Sequence, residues 1–392
     1  MKIFREEKFG GILYDTETLR YSLVTKKDTK ADTFLPMTSK FVRDDILSSP
    51  VRIYFEITRK CNLYCKHCFV NAGKSQIDGL SHDNMLSLID QFADARVLEL
   101  RITGGEPTQR EGWSVLLKHA RSRGMSVSLN TNGVYDNLED TVSKMIDIGL
   151  NQITVSIDGI DKTHDSIRGR GSYNKMLKAV EYMHSKDLPL RFNTVINKRN
   201  YLEIPQIVQL ADGLVSEINF FYMRPVGRAI DLNDEMLSFE EHYQSAMDTI
   251  ALRPKHPNLR IMHFEQSFTE RSILEKKDPV DLRKTFPYGS TTIGVTCLGE
   301  YAPHGYSPYQ DKSLTLGKYP DDSLTKIWHE SQQLDEMRVW FSKLLKQCNA
   351  CDEYNMRCAG LNFEMKVAEN VGDISKNPYC ISNISFANIG GK

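Results

Sequence analysis

From Val51 to Met223 the chain alternates between two hydrophobic periods, and that alternation limits its fold more than any other feature. Short β-branched runs read as strands at Arg52–Thr58, Leu98–Thr103, Ser126–Asn130, Gln152–Ser156, Leu190–Ile196 and Glu217–Met223. Between them, amphipathic stretches read as helices at Ser81–Ala93, Trp113–Arg123, Asn137–Ile148, Tyr173–Lys186 and Tyr201–Ala211. Leu86, Ile89, Asp90 and Ala93 illustrate the helical spacing, and Ser81 is placed to cap the first of these helices. Strands that alternate with helices build a parallel α/β sheet, closed or partly closed as a barrel, with its site at the C-terminal strand ends.

The loop after the first strand holds Cys61, Cys65 and Cys68. Thiolates are soft ligands that hold zinc or iron–sulfur clusters. A structural zinc ion would require a fourth protein ligand, whereas three cysteines leave one iron of a [4Fe–4S] cube open. One strand later comes Thr103-Gly104-Gly105-Glu106-Pro107, whose glycines permit close backbone approach and whose acid can accept from an ammonium. Taken alone, that segment also reads as an ordinary strand-end turn.

Together these landmarks resemble the radical S-adenosylmethionine (SAM) superfamily. The resemblance implies a partial (β/α)6 barrel. It also implies a [4Fe–4S] cluster on Cys61, Cys65 and Cys68 whose open iron chelates SAM and cleaves it to a 5′-deoxyadenosyl radical. His67 stands where the family usually carries an aromatic residue. Carried over by position, Gly104, Gly105 and Glu106 would meet the SAM amino group. Asn130-Thr-Asn-Gly133, Ser156 and Asp158 fall at strand ends that in the family meet the ribose and carboxylate. Arg168 resembles the arginine that reaches the SAM carboxylate, a pairing guanidinium geometry suits, against the plainer reading of a surface arginine. Val195 and Asn197 would border the adenine, and Tyr222 and Arg224 the pocket wall.

After Phe286 the texture turns to Gly/Pro-rich turns, and Cys348, Cys351, Cys358 and Cys380 follow. This resembles the end of the SPASM domain, as does the lead-in from Ser313 to Trp328, and it implies one auxiliary [4Fe–4S] cluster on those four thiols. Of the eight cysteines in the chain, only Cys297 then remains. It reads as a buried thiol or a substitute ligand, and His304 as a turn residue. From spacing alone the four could instead hold structural zinc.

The expected organisation is a hairpin and linker over 1–48, a barrel over 49–285 and an auxiliary-cluster domain over 286–392. The hairpin, Gly10–Tyr14 with Leu19–Val24, reads either as a shortened peptide-recognition element or as a strand pair capping the barrel. With 50 basic and 51 acidic residues in 392, the composition argues against nucleic-acid or membrane-surface partners. The charged N-terminus lacks the apolar core of a signal peptide, so a cytoplasmic location is expected, where cysteines serve as ligands. The resemblance implies a peptide or protein substrate and an electron donor such as flavodoxin or ferredoxin. The alternatives are radical chemistry on a sugar, aminoglycoside or tetrapyrrole precursor, and a non-catalytic electron carrier or zinc-held scaffold, which has no use for a SAM cradle.

Overall fold

The structure is a computed structural model that describes residues 1–24, 30–37, 43, 45–74, 78–263, 289–305, 308 and 312–338. Four N-terminal strands, β1 (Lys2–Glu7), β2 (Gly10–Asp15), β3 (Arg20–Val24) and β4 (Thr33–Leu35), form one small sheet in the order β3-β2-β1-β4. The large sheet begins with β5 (Arg52–Glu56), β6 (Glu99–Thr103), β7 (Ser126–Thr131), β8 (Gln152–Ser156), β9 (Leu190–Ile196) and β10 (Glu217–Tyr222), all parallel. These are the six strands expected from the periodicity.

The sheet runs further than six units. β11 (Arg260–His263) adds in parallel to β10, inside a stretch whose alternation had faded. At the other edge β12 (Thr292–Val295) pairs in parallel with β5, so the segment after residue 286 continues the barrel sheet. β13 (Glu300–Ala302) and β14 (Gly317–Lys318) follow antiparallel. Among the described residues β11 and β14 are the two ends of the sheet, which therefore stays open.

Helices cover one face: α1 (His82–Asp94), α2 (Trp113–Ser122), α3 (Leu138–Ile148), α4 (Lys162–Arg168), α5 (Ser172–His184), α6 (Ile204–Ala211), α7 (Phe239–Leu252) and α8 (Leu324–Glu330). Ser81 caps α1, its hydroxyl accepting from Asn84 N at 3.2 Å, and Asn137 caps α3 through Asp140 N at 3.1 Å. The buried stripe of α1 is Met85, Leu88, Ile89 and Phe92 rather than one centred on Leu86 and Ala93, which stay partly buried. Burying Met85 and Phe92 removes more apolar surface, so the helix turns that face inward.

Strand alternation sorts the two faces of the sheet. Ile53, Phe55, Leu100, Ile102, Val127, Leu129, Ile153, Val155, Phe192 and Ile218 belong to the continuous core. The opposite face carries Arg52, Tyr54, Glu99, Arg101, Ser126, Ser128, Gln152, Thr154, Arg191 and Glu217, aligned by the strand register. Arg101 on β6 and Arg191 on β9 are three strands apart, yet their charges act on one another. The polar face is thus the inside of a curved wall. Tyr54, Asn130, Ser156, Asn193, Val195 and Phe221 on that side keep partial exposure while their strand neighbours on the core side are buried, which marks an open lumen.

The small sheet closes the N-terminal mouth of this lumen. Arg5 is fully buried and donates to the carbonyls of Pro50 (2.8 Å), Arg96 (3.0 Å) and Ser49 (2.7 Å) and to Glu7 (2.9 Å). Asn151 donates to Thr16 O at 2.9 Å, and Arg52 to Leu19 O at 3.1 Å. Apart from Arg5–Glu7, which lies within β1, these ties join the small sheet or its turns to the start of a barrel strand.

Candidate active site

The loop from Ile57 to Leu80 carries the cysteine triplet, and arginines hold its course through main-chain carbonyls. Arg110 donates to Ile57 O and Asp78 O, both at 2.9 Å, and to Leu80 O at 2.7 Å, so one buried side chain fixes both ends. Arg228, arriving from beyond β10, donates to Cys65 O at 2.7 Å and Ala72 O at 2.8 Å, and its own N–H bonds Cys68 O at 3.0 Å. Its guanidinium lies 3.8 Å from the Tyr64 ring centroid. Gly227 beside it has φ of 59°, and a Cβ there would come within 2.2 Å of Cys68 O.

The Gly-Gly-Glu segment is pressed against the same loop. Gly105 N bonds Thr58 O at 2.7 Å and Glu106 N bonds Lys60 O at 2.8 Å. A Cβ on Gly105 would sit 2.2 Å from Lys60 O, so this approach requires glycine. The Gly104 and Gly105 carbonyls accept no main-chain bond from the described residues, which leaves them as acceptors at the rim. Glu106 is fully buried instead. Its carboxylate accepts from Thr108 Oγ1 (2.9 Å), Thr131 Oγ1 (2.9 Å) and Asn132 N (2.7 Å), which ties β6 to the end of β7. Burial raises its pKa despite those donors. Asn132 in turn reaches Asn62 Oδ1 at 2.8 Å and Cys61 Sγ at 3.8 Å.

Asp158 lies at the centre of a second buried knot. Its carboxylate takes Arg168 Nε at 2.5 Å and Val195 N at 2.8 Å, with His67 Nε2 at 3.1 Å. Burial opposes its charge, but Arg168 and His67 outweigh that and hold the carboxyl well below its usual range. Arg168 is buried rather than a surface residue, and its Nη1 stands 3.9 Å from Cys65 Sγ. His164 accepts from Asp158 N at 3.2 Å, and burial with Arg168 nearby lowers its pKa to about 4, so it is neutral.

The donor set around the sulfurs suits thiolate ligands. Cys61 Sγ accepts from Leu63 N and Cys68 Sγ from Ala72 N, both at 3.4 Å, while Cys65 Sγ faces Arg168. Burial pushes the Cys61 thiol up to about 12 and raises Cys65 as well, the latter opposed by Arg168 and Arg228. An iron ligand set would therefore have to displace these protons on binding. His67 Nδ1 is buried and has no hydrogen-bond partner among the described residues, an orphan donor or acceptor beside the triplet. Among those residues no three His, Cys, Asp or Glu are gathered around one point for a single ion. The thiolates of a cluster bind separate irons and need no such focus.

Other expected residues fall in different places. Ser156 ends β8 on the lumen side and is partly exposed, as is Val195. Asn197 is buried and orders its own turn, accepting from Arg199 N at 2.8 Å. Tyr222 turns away from the lumen and pairs with His263 at 2.8 Å, whereas Arg224 stays partly exposed. Cys297 is fully buried, and burial beside Glu56 drives its thiol up. His304 packs on Tyr54 with ring centroids 5.0 Å apart. Cys348, Cys351, Cys358 and Cys380 lie outside the described residues. Sequence reasoning missed Arg228 and Arg110, whose only sequence signal is an arginine beside a turn.

Residues 55–211, spanning β5 to α6, match the Radical SAM superfamily. The chain carries a radical SAM domain. It is 28% identical over 354 residues to an AdoMet-dependent heme synthase of Methanosarcina barkeri, covering 85% of this chain and 97% of that one. It is 26% identical to the PqqA peptide cyclase of Rhizobium meliloti, covering 85% and 87%. Its fold superposes on Streptococcus suis SuiB bound to the precursor peptide SuiA with a TM-score of 0.73, at 15% identity over 92% of this chain and 95% of that one. The Radical SAM family, which residues 55–211 match, uses a [4Fe–4S] cluster and SAM. No helix among the described residues is long and apolar enough to cross a membrane.

Proposed function

We propose that this enzyme modifies a ribosomally made peptide or protein by radical SAM chemistry, as a cross-link, an oxidation or an epimerisation. The observation that carries the reading is the anchored cysteine loop over the rim of an open polar lumen. Bound there, the cluster and SAM would supply a 5′-deoxyadenosyl radical that abstracts a substrate hydrogen. Cys61, Cys65 and Cys68 would ligate the cluster. The Gly104 and Gly105 carbonyls are the acceptors suited to an ammonium, and Ser156 is a partly exposed hydroxyl at the end of β8 on that side of the wall.

The chain's own residues do the positioning. Glu106 and Asp158 act from within, the first through Asn132 on Cys61, the second through Arg168 on Cys65 and through His67. The covered N-terminal mouth leaves the C-terminal mouth as the route for substrate and keeps bulk water from the floor. In the C-terminal region Cys348, Cys351, Cys358 and Cys380 would hold the auxiliary cluster and exchange an electron with the product side. A flavodoxin- or ferredoxin-like donor in the cytoplasm completes the reading, and the relatives that act on peptides support the substrate class.

The match to the heme synthase over nearly its full length favours a second reading, radical chemistry on a small molecule. Mass spectrometry separates the two. Incubating the reduced enzyme and SAM with precursor peptides encoded beside its gene should yield a mass change coupled to 5′-deoxyadenosine. No change with any of them, together with turnover of a tetrapyrrole or sugar, would transfer the assignment.

A further inference from the structure

Among the described residues, the floor of the lumen sets three guanidiniums against two carboxylates. Glu99 is shared between Arg52 (2.6 Å) and Arg101 (2.9 Å). Glu217 is shared between Arg191 (3.3 Å) and the half-exposed Arg260 (2.8 Å) and Arg20 (3.6 Å). Three guanidiniums largely shielded from water, Arg52, Arg101 and Arg191, thus depend on two carboxylates, of which Glu217 also serves two surface arginines. We propose that the lumen is a carboxylate-binding chamber, in which Arg191, Arg101 and Tyr54, with Arg224 above them, take an acidic group of the substrate. This rests on the reading of the lumen as the place where substrate sits.

Geometry supports it from several sides. Arg101 Nη1 donates to the Tyr54 hydroxyl oxygen at 3.4 Å, and its guanidinium lies 5.5 Å from the ring centroid. That leaves the phenol proton available to a second acceptor. Arg191 spends Nε on Thr154 at 3.0 Å and Nη1 on a long contact to Glu217. Tyr54 keeps partial exposure on the lumen side, and the partly exposed Arg224 acts on His304, whose ring packs against Tyr54. The neighbouring groups register the same surplus. Burial and then Arg101 lower Arg191 to about 10, and burial and then Arg224 lower His304 to about 3. For Tyr54 burial acts upward, but Arg101 and Arg52 outweigh it and bring the phenol below its ordinary value. A buried cation short of a partner is stabilised by any anion that arrives, and a carboxylate matches guanidinium geometry.

Such a carboxylate can come from an acidic peptide side chain or from a small molecule, and the test separates them. Isothermal titration of the reconstituted enzyme with SAM would use two pairs of probes: acetyl-Gly-Glu-Gly-Glu-Gly-amide against its Gln twin, and glutarate against glutaramide. The expected result is binding about tenfold tighter or more for the acid in at least one pair, with the preference lost in Arg191→Gln. Preference in the peptide pair alone assigns a peptide source, and in the glutarate pair alone a small-molecule source. Arg224→Gln, at a partly exposed site, carries the test if Arg191→Gln does not fold by circular dichroism. Equal affinity of acids and amides overturns the proposal, as does a preference that survives both variants. Formation of 5′-deoxyadenosine is measured on the same wild-type preparation. Its absence beside carboxylate-selective binding would overturn the proposed function while leaving the chamber intact.

Discussion

The two mouths of the barrel mix the same two kinds of contact in different proportions. At the N-terminal mouth, ion pairs predominate, Arg52 with Glu99, Arg191 with Glu217 and Arg5 with Glu7, and Arg5 adds three bonds to main-chain carbonyls under a four-stranded lid. At the C-terminal mouth, Arg110 and Arg228 meet main-chain carbonyls, Arg168 pairs with Asp158, and Glu106 is consumed in holding a loop. Ion pairs lock a floor that has no need to move. Carbonyl-directed arginines fix a loop's path while leaving its sulfurs and rim carbonyls to ligands. A frame and a site therefore weight the same two kinds of arginine partner differently.

Substitutions can break that division. Cys65→Ala should have the largest effect, removing one cluster's worth of iron, about four atoms per chain, and abolishing SAM cleavage. Iron and sulfide analysis with chromatography of 5′-deoxyadenosine reads both. Arg5→Ala leaves Glu7 buried without its cation and should cost about 3–5 kcal/mol in urea unfolding. Iron per folded chain should be unchanged, since the lid is remote from the cysteines. Arg228→Lys keeps a charge but loses the fork across Cys65 O and Ala72 O, about 1–3 kcal/mol locally. It should accelerate iron release to a chelator with little shift in melting temperature. A fall in melting temperature as large as that of Arg5→Ala would erase the distinction between frame and site.

The smallest effect is at acid pH. Burial favours protonation of Glu99, but Arg101 and Arg52 outweigh it and hold the pKa at about 2, below the ordinary glutamate range. A depressed carboxyl stabilises the fold above its unfolded pKa and loses that contribution as pH falls toward its folded pKa. The Glu99 share should thus disappear between about pH 5 and 2. Glu99→Gln should flatten the acid limb of the unfolding curve there, measured by circular dichroism, and an unchanged limb would mean that Glu99 is not the floor's anion.

Much of the frame was legible because period-2 and period-3.6 patterns are local. β8 and β9 appear with the bounds expected, and Ser81 and Asn137 cap the helices that follow them. β1, KIFREE, was missed because its charges hide a strand whose Arg5 is buried only through tertiary contacts. β11 and β12 are short, and pairing with a neighbour defines them more than propensity does. At the site, the cysteine spacing and the paired glycines carried their chemistry in plain view. The burial of Glu106 and Asp158 did not, because a carboxylate at a strand end reads alike whether it meets a ligand or a neighbouring loop. Arg101 and Arg191 did leave a signal, each alternating with apolar residues in a strand, which is how a polar lumen is written into sequence.

The account stands on the anchored cysteine loop as a place where SAM is cleaved. The most direct measurement is 5′-deoxyadenosine formed from SAM by reconstituted, reduced enzyme, set beside Cys65→Ala under identical conditions. The wild-type chain should release 5′-deoxyadenosine and the variant none. Equal amounts from both, or none from the wild type with iron fully loaded, would contradict it.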